Sequence, residues 1–141
     1  MAKRLTNRKI LITGGGAGIG RECVNQCIDE GATVAVLDQD INDLEGAIEK
    51  NGLANCILPI KVEISNLEQV ATGVEQAALK LKGLDGIVNS AGIDLFTSFD
   101  QMNWDDWNRI LAVNLSGAMH VCYQALPYLK SSSHSSIVNI S

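Results

Sequence analysis

Thr13-Gly14-Gly15-Gly16-Ala17-Gly18-Ile19-Gly20 sets the class of fold that this chain can adopt. It follows Lys9-Ile10-Leu11-Ile12, a short apolar run of strand character, and leads into Arg21–Glu30. There, with Ile19 just ahead, apolar Ile19, Cys23, Cys27 and Ile28 recur at helical spacing. Strand, glycine turn and helix is the arrangement that binds dinucleotides. Such a turn needs glycines for three reasons: one makes the bend, one lets bare backbone approach a pyrophosphate, and one lets the helix pack against the strand. The start of the helix then offers unpaired N–H groups and partial positive charge to an anion. Glycine-rich loops also arise for conformational reasons alone, so the assignment draws its support from what lies downstream.

The first support is Asp38. Thr33-Val34-Ala35-Val36-Leu37 reads as a second apolar strand, and Asp38 ends it about twenty residues past the turn, where a carboxylate can accept both ribose hydroxyls of an adenosine. A 2′-phosphate beside that carboxylate would be repelled by roughly 4 kcal/mol at about 4 Å and an effective dielectric near 20. No Arg or Lys stands at Ala17, Gln39 or Asp40 to offset the repulsion. The expected cofactor is therefore NAD and not NADP.

Downstream of Asp38, strands and helices alternate. Ile41–Lys50 carries Ile41, Leu44, Ala47 and Ile48 on one helical face and ends at Asn51-Gly52. Ile57–Val62 is a third strand, and Pro59 puts it at the sheet edge. Ser65 is the expected N-cap of a helix striped by Leu67, Val70, Ala71, Val74, Ala78 and Leu81, with Gly83 ending it. Gly86–Asn89 is a fourth strand leading into Ser90-Ala91-Gly92, and the stretch from Gly92 to Asn103 has no period. Asn103 then caps a long helix with Asp105 and Asp106 in its first turn. Trp107, Ile110, Leu111, Ala118, Cys122 and Ala125 are its expected buried side, and Pro127 marks where it loosens. Ile137–Ser141 begins a fifth strand. This alternation predicts an α/β fold, a Rossmann-like doubly wound parallel sheet in the order 3-2-1-4-5 with the glycine turn at the switch point. With 141 residues, one such domain spanning 1–141 is the ceiling.

Bulk properties narrow the partners. A net charge of −5 and the lack of a basic stripe interleaved with aromatics argue against nucleic acid. Apolar runs are strand-sized and Met1-Ala2-Lys3-Arg4 is followed by polar residues, so neither a membrane span nor a signal peptide is expected, and the location is read as cytoplasmic. Cys23 and Cys27 share a helix face without further ligands nearby, so no metal is expected and the four cysteines read as small buried apolar residues. His120 and His134 read as packing or surface residues.

Several motifs then coincide, and the chain resembles the short-chain dehydrogenase/reductase family. Thr13-Gly14-xxx-Gly18-Ile19-Gly20 is similar to that family's TGxxxGIG turn. Asn89-Ser90-Ala91-Gly92 is similar to its NNAG motif, departing at Ser90. The resemblance implies cofactor contacts from Gly14, Gly18, Ile19, Gly20, Asp38, Asn89, Ala91 and Gly92. It implies further contacts from Glu63 and Ile64, which stand where the family usually has Asp-Val against the adenine. Asn114 falls where the family has an asparagine supporting a proton-relay water, and is the one expected catalytic residue; a purely structural, hydrogen-bonded asparagine is the alternative. The family's serine after the fifth strand and its Tyr-x-x-x-Lys pair are not matched: Ser141 corresponds to the first serine of Asn-Ile-Ser-Ser, Tyr123 is followed by Pro127 and Tyr128 by Ser132. The expected function is an NAD-dependent oxidoreductase acting on an alcohol or carbonyl substrate, homo-oligomeric when full length, here as its C-terminally incomplete cofactor-binding portion and inactive alone. Two alternatives stand beside it. One is a catalytically inactive binding or interaction module. The other is a methyl-transferring enzyme using the same turn for S-adenosylmethionine.

Overall fold

The computed structural model describes residues 3–141. Five parallel strands form one sheet in the order β3-β2-β1-β4-β5, as the alternation predicts. The elements run β1 (Lys9–Thr13), α1 (Gly18–Asp29), β2 (Thr33–Asp38), α2 (Asn42–Asn51), β3 (Ile57–Lys61), α3 (Leu67–Leu81), β4 (Gly86–Asn89), α4 (Trp104–Leu111), α5 (Ala118–Lys130) and β5 (Ser136–Asn139). β1 pairs with β2 on one side and β4 on the other, in registers that bring Thr13 level with Leu37 and with Asn89. The carboxyl ends of three strands thus meet in one place.

Both faces of the inner strands are covered, which is why they read as continuous apolar runs and not as alternating ones. Ile10, Ile12, Val34 and Val36 pack with Val24 of α1 and Leu44 and Ile48 of α2. Leu11, Ala35, Leu37 and Ile87 pack with Val70 and Val74 of α3 and Val121, Ala125 and Leu129 of α5. Opposite the turn, Asp85 stitches the strand starts together. It accepts from Arg8 Nε at 2.6 Å and from the Lys9 amide at 3.1 Å.

Three sequence expectations are corrected. The N-cap of α3 is Asn66 and not Ser65: Asn66 Oδ1 accepts from the Glu68 and Gln69 amides at 3.1 Å each, while the Ser65 hydroxyl turns back to Glu63 Oε1 at 3.0 Å. The long helix is interrupted by a π-helical segment at Ala112–Gly117 between α4 and α5. That segment shifts the register, so the buried stripe is Val113, Gly117, Val121, Ala125 and Leu129, whereas Trp107 is 42% exposed and Ile110, Leu111, Ala118 and Cys122 are only half-buried. Pro127 lies inside α5, which runs on to Lys130 with Leu129 buried in the core beyond it. In α1, likewise, Ile19 is exposed and Val24 makes the core contact.

All four cysteines are free and half-buried. Burial pushes the Cys27 thiol up, with neighbouring Cys23 adding to the shift. Among the described residues there is no cluster of three or more metal-ligating side chains. No described helix is long and apolar enough to cross a membrane.

Candidate functional site

A cleft of about 370 Å³ opens where the carboxyl ends of β1, β2 and β4 meet. Gly14, Gly18, Ile19, Gly20, Asp38, Glu63, Ile64, Ala91 and Gly92, all singled out from the sequence, line it together. Asn89 and Asn114 do not. They line a neighbouring cavity of about 410 Å³ that also contains Ala91, Cys122, Asn139 and Ser141.

The glycine turn is shaped by contact as much as by conformation. Gly14 has φ +68°, and a Cβ there would lie 2.7 Å from Ala91 Cα. Gly18 has φ +56° and nothing within 4 Å of where a Cβ would sit, so it serves the backbone path and leaves the cleft open. Gly20 lets α1 touch β1's exit: a Cβ would stand 2.1 Å from the Gly14 carbonyl oxygen. α1 then begins with no side-chain cap and no acidic residue in its first turn. Its first N–H groups and the positive end of its dipole are left for an anion in the cleft.

Thr13, the first residue of the motif, has a structural role that its sequence position alone does not reveal. Its buried hydroxyl oxygen accepts from the Ser90 and Ala91 amides, both at 3.1 Å, tying the glycine turn to the loop after β4. The sequence signal was a polar residue closing an apolar strand. Asp38 lies at the far side of the turn. Its Oδ2 accepts from the Gly16 amide at 2.8 Å and its Oδ1 from the Asp40 amide at 3.0 Å, which fixes the carboxylate and leaves lone pairs on both oxygens. Glu63 is half-engaged elsewhere, since its Oε1 accepts from the Ser65 amide and hydroxyl. Ile64 is buried against Gly117, where a Cβ would lie 3.1 Å from its side chain.

Asn89 is 3% exposed. Its Nδ2 donates to Asn139 Oδ1 at 2.8 Å and to Cys122 Sγ at 3.3 Å, bridging β4, β5 and α5, while its Oδ1 is buried without a partner. Asn114 sits in the π-helical segment, an irregularity often found at functional sites. Its amide grips one residue with both ends: Oδ1 accepts from the Ile93 amide at 2.8 Å, and Nδ2 donates to the Ile93 carbonyl at 2.9 Å. In this structure its side chain positions the loop after β4. Chemically, the cleft pairs a helix N-terminus with a fixed carboxylate across the turn, the complement of a phosphate joined to a vicinal diol.

Known proteins share this fold. A family model described as short chain dehydrogenase matches residues 8–141. A 3-oxoacyl-acyl-carrier-protein reductase of Thermotoga maritima is 32% identical over 98% of this chain and 56% of its own length. A 2-(S)-hydroxypropyl-CoM dehydrogenase of Xanthobacter autotrophicus is 33% identical over 99% of this chain and 55% of its own. Among solved structures, a short-chain dehydrogenase/reductase from Brucella melitensis, titled glucose/ribitol dehydrogenase, superposes with a TM-score of 0.91 at 32% identity, covering 99% of this chain and 58% of that one. A short chain dehydrogenase from Burkholderia cenocepacia, solved with NADP, gives 0.89 at 27% identity, covering 96% and 56%. The chain therefore spans a little over half the length of these relatives. A glycine turn, a fixed Asp38 and the loop after β4 converge on one cleft within a sheet that those structures share, and the chain belongs to the short-chain dehydrogenase family.

Proposed function

We propose that this chain is the cofactor-binding part of a nicotinamide-dependent oxidoreductase that uses NAD to interconvert an alcohol and a carbonyl compound. The observation that carries the reading is the cleft itself, with the Gly18–Gly20 helix start at one end and the Asp38 carboxylate held by two backbone amides at the other. The residues present fit a dinucleotide. The α1 N-terminus would hold the pyrophosphate, Asp38 the adenosine ribose, Glu63 and Ile64 the adenine, and Ala91 and Gly92 the nicotinamide half. When bound, the nicotinamide supplies hydride transfer. The chain's own contribution is to bind and orient. Thr13 fixes the wall at Ser90-Ala91, Asn89 braces that wall from beneath, and Asn114 holds Ile93 at the mouth of the neighbouring cavity. The relatives' names support the reaction class, since they include a reductase and dehydrogenases. The reading extends to a cytosolic, homo-oligomeric enzyme when full length.

Asp38→Ala tests the cofactor assignment. A hydrogen bond to a charged group contributes about 1.5–3 kcal/mol, so loss of the carboxylate should weaken NADH binding by roughly tenfold or more in a fluorescence titration. Unchanged affinity, or displacement of NADH by S-adenosylmethionine, would count against the reading. The family resemblance implies that proton transfer falls to a Tyr-x-x-x-Lys pair, a spacing that these 141 residues do not contain. The 141-residue chain is accordingly expected to bind NADH yet show no alcohol-dependent NAD reduction above background. Turnover by this chain alone would overturn the roles assigned here.

A further inference from the structure

Gly16 is not one of the glycines whose backbone conformation demands glycine: the positive-φ glycines of the turn are Gly14 and Gly18. What excludes a side chain is what the turn faces. A Cβ at position 16 would lie 2.6 Å from the Asp40 carbonyl oxygen, 2.8 Å from Asp38 Oδ2 and 3.0 Å from Asp38 Cγ. The first is backbone and the others belong to the short Asp38 side chain, so an added methyl would press on the Asp40 carbonyl and on the carboxylate together. The same residue supplies the amide that Asp38 Oδ2 accepts, at 2.8 Å. Asp40 holds the other oxygen from the opposite side through its own amide.

Resting on the cofactor reading above, we propose that Gly16 is a specificity-determining positioning residue: its amide and its missing side chain together seat the Asp38 carboxylate where it accepts ribose hydroxyls and repels a 2′-phosphate. The preference for NAD is then a property of the Gly16–Asp38 pair and not of the aspartate alone. An added methyl forces the carboxylate off its two amide donors. The displaced group no longer meets the diol, and its charge no longer stands against the position a 2′-phosphate would take. A hydrogen bond to a charged group is worth a factor of roughly ten or more in binding, which sets the scale of the effect.

The test measures dissociation constants for NADH and NADPH on the wild-type protein, Gly16→Ala, Asp38→Asn and the double variant, with thermal melts of each ligand-free protein alongside. Gly16→Ala is expected to weaken NADH by roughly tenfold while leaving NADPH no weaker than on the wild type, and to add nothing to the NADH/NADPH ratio once Asp38 is already Asn. A merely structural role would weaken both cofactors together and add to the effect of Asp38→Asn. Either of those results overturns the inference. If Gly16→Ala does not fold, Asp38→Ala carries the test by amide hydrogen exchange, read with the same two titrations. Faster exchange at Gly16 together with a lost NADH preference supports the pairing, and lost preference with Gly16 exchange unchanged overturns it. A wild-type protein that prefers NADPH sinks the cofactor reading itself, whereas a wild type preferring NADH whose Gly16→Ala variant keeps the ratio sinks this inference alone.

Discussion

Gly20→Ala should destabilise the protein by about 3 kcal/mol or more and abolish measurable NADH binding, although it adds a single methyl group to a helix and so favours helix formation locally. The reason is the identity of the atoms in the way. The new Cβ would stand 2.1 Å from the Gly14 carbonyl oxygen, 2.7 Å from its carbon and 3.2 Å from the Gly15 amide nitrogen. All three are backbone, so no rotamer change relieves the contact. Either α1 tilts away from β1, opening the packing of Val24 against Ile12 and Val36, or the turn at Gly14 shifts toward Ala91, where space is equally short. At this chain length a loss of that size lowers Tm by roughly 10 °C, which calorimetry resolves easily. Gly46→Ala, on α2 with nothing within 4 Å of the new methyl, is the matched control and should leave Tm unchanged or slightly higher. A Gly20→Ala protein melting within about 2 °C of wild type would refute the close approach on which the cleft's shape depends.

Thr13→Val carries the second large effect. The substitution keeps the shape and removes one oxygen, but that oxygen accepts two amides, those of Ser90 and Ala91, from a site only 1% exposed. A buried donor left unpaired costs about 1–3 kcal/mol, so the pair should cost roughly 2–4 kcal/mol in urea unfolding. Thr13→Ser retains the hydroxyl and should recover most of that loss. Because Ala91 borders the cleft and packs on Gly14, the valine variant should also weaken NADH binding by more than its loss of stability alone would explain. Equal stability for the valine and serine variants would mean that the hydroxyl is not the link.

The parts of the fold that were legible in the sequence are those set by local period and by glycine. Val34-Ala35-Val36-Leu37 could hardly be other than an inner strand, and Pro59 correctly marked β3 as an edge. The nine cleft residues were legible because each sits at or just past a strand end, where the doubly wound topology must gather them. What escaped detection depends on atoms brought together from afar. A π-helical segment differs from an α-helix by one residue in the hydrogen-bonding step, which no 3.6-residue pattern reveals, so the buried stripe through Val113, Gly117 and Val121 was missed. Ser65 and Asn66 are both competent caps, and only the position of Glu63, which takes the serine hydroxyl, decides between them. The role of Thr13 lies in a contact with residues far along the chain, and Gly16 looked like one more turn glycine until Asp38 was found against it.

The strand order also governs when the molecule can assemble. β1 joins β2 across a single helix, but it joins β4 only after α2, β3 and α3 have all been made. During synthesis, then, the β1-β2-β3 half can close early through local pairing, with Asp38 already beside Gly16, while the far flank of β1 waits unpaired for Gly86–Asn89 to leave the ribosome. Long-range pairing of this kind slows folding. The step that brings Ser90 and Ala91 to Thr13 comes late, so the cleft is finished by the same event that seals the central strand, and a nascent chain stalled before β4 would present that strand's bare edge to chaperones.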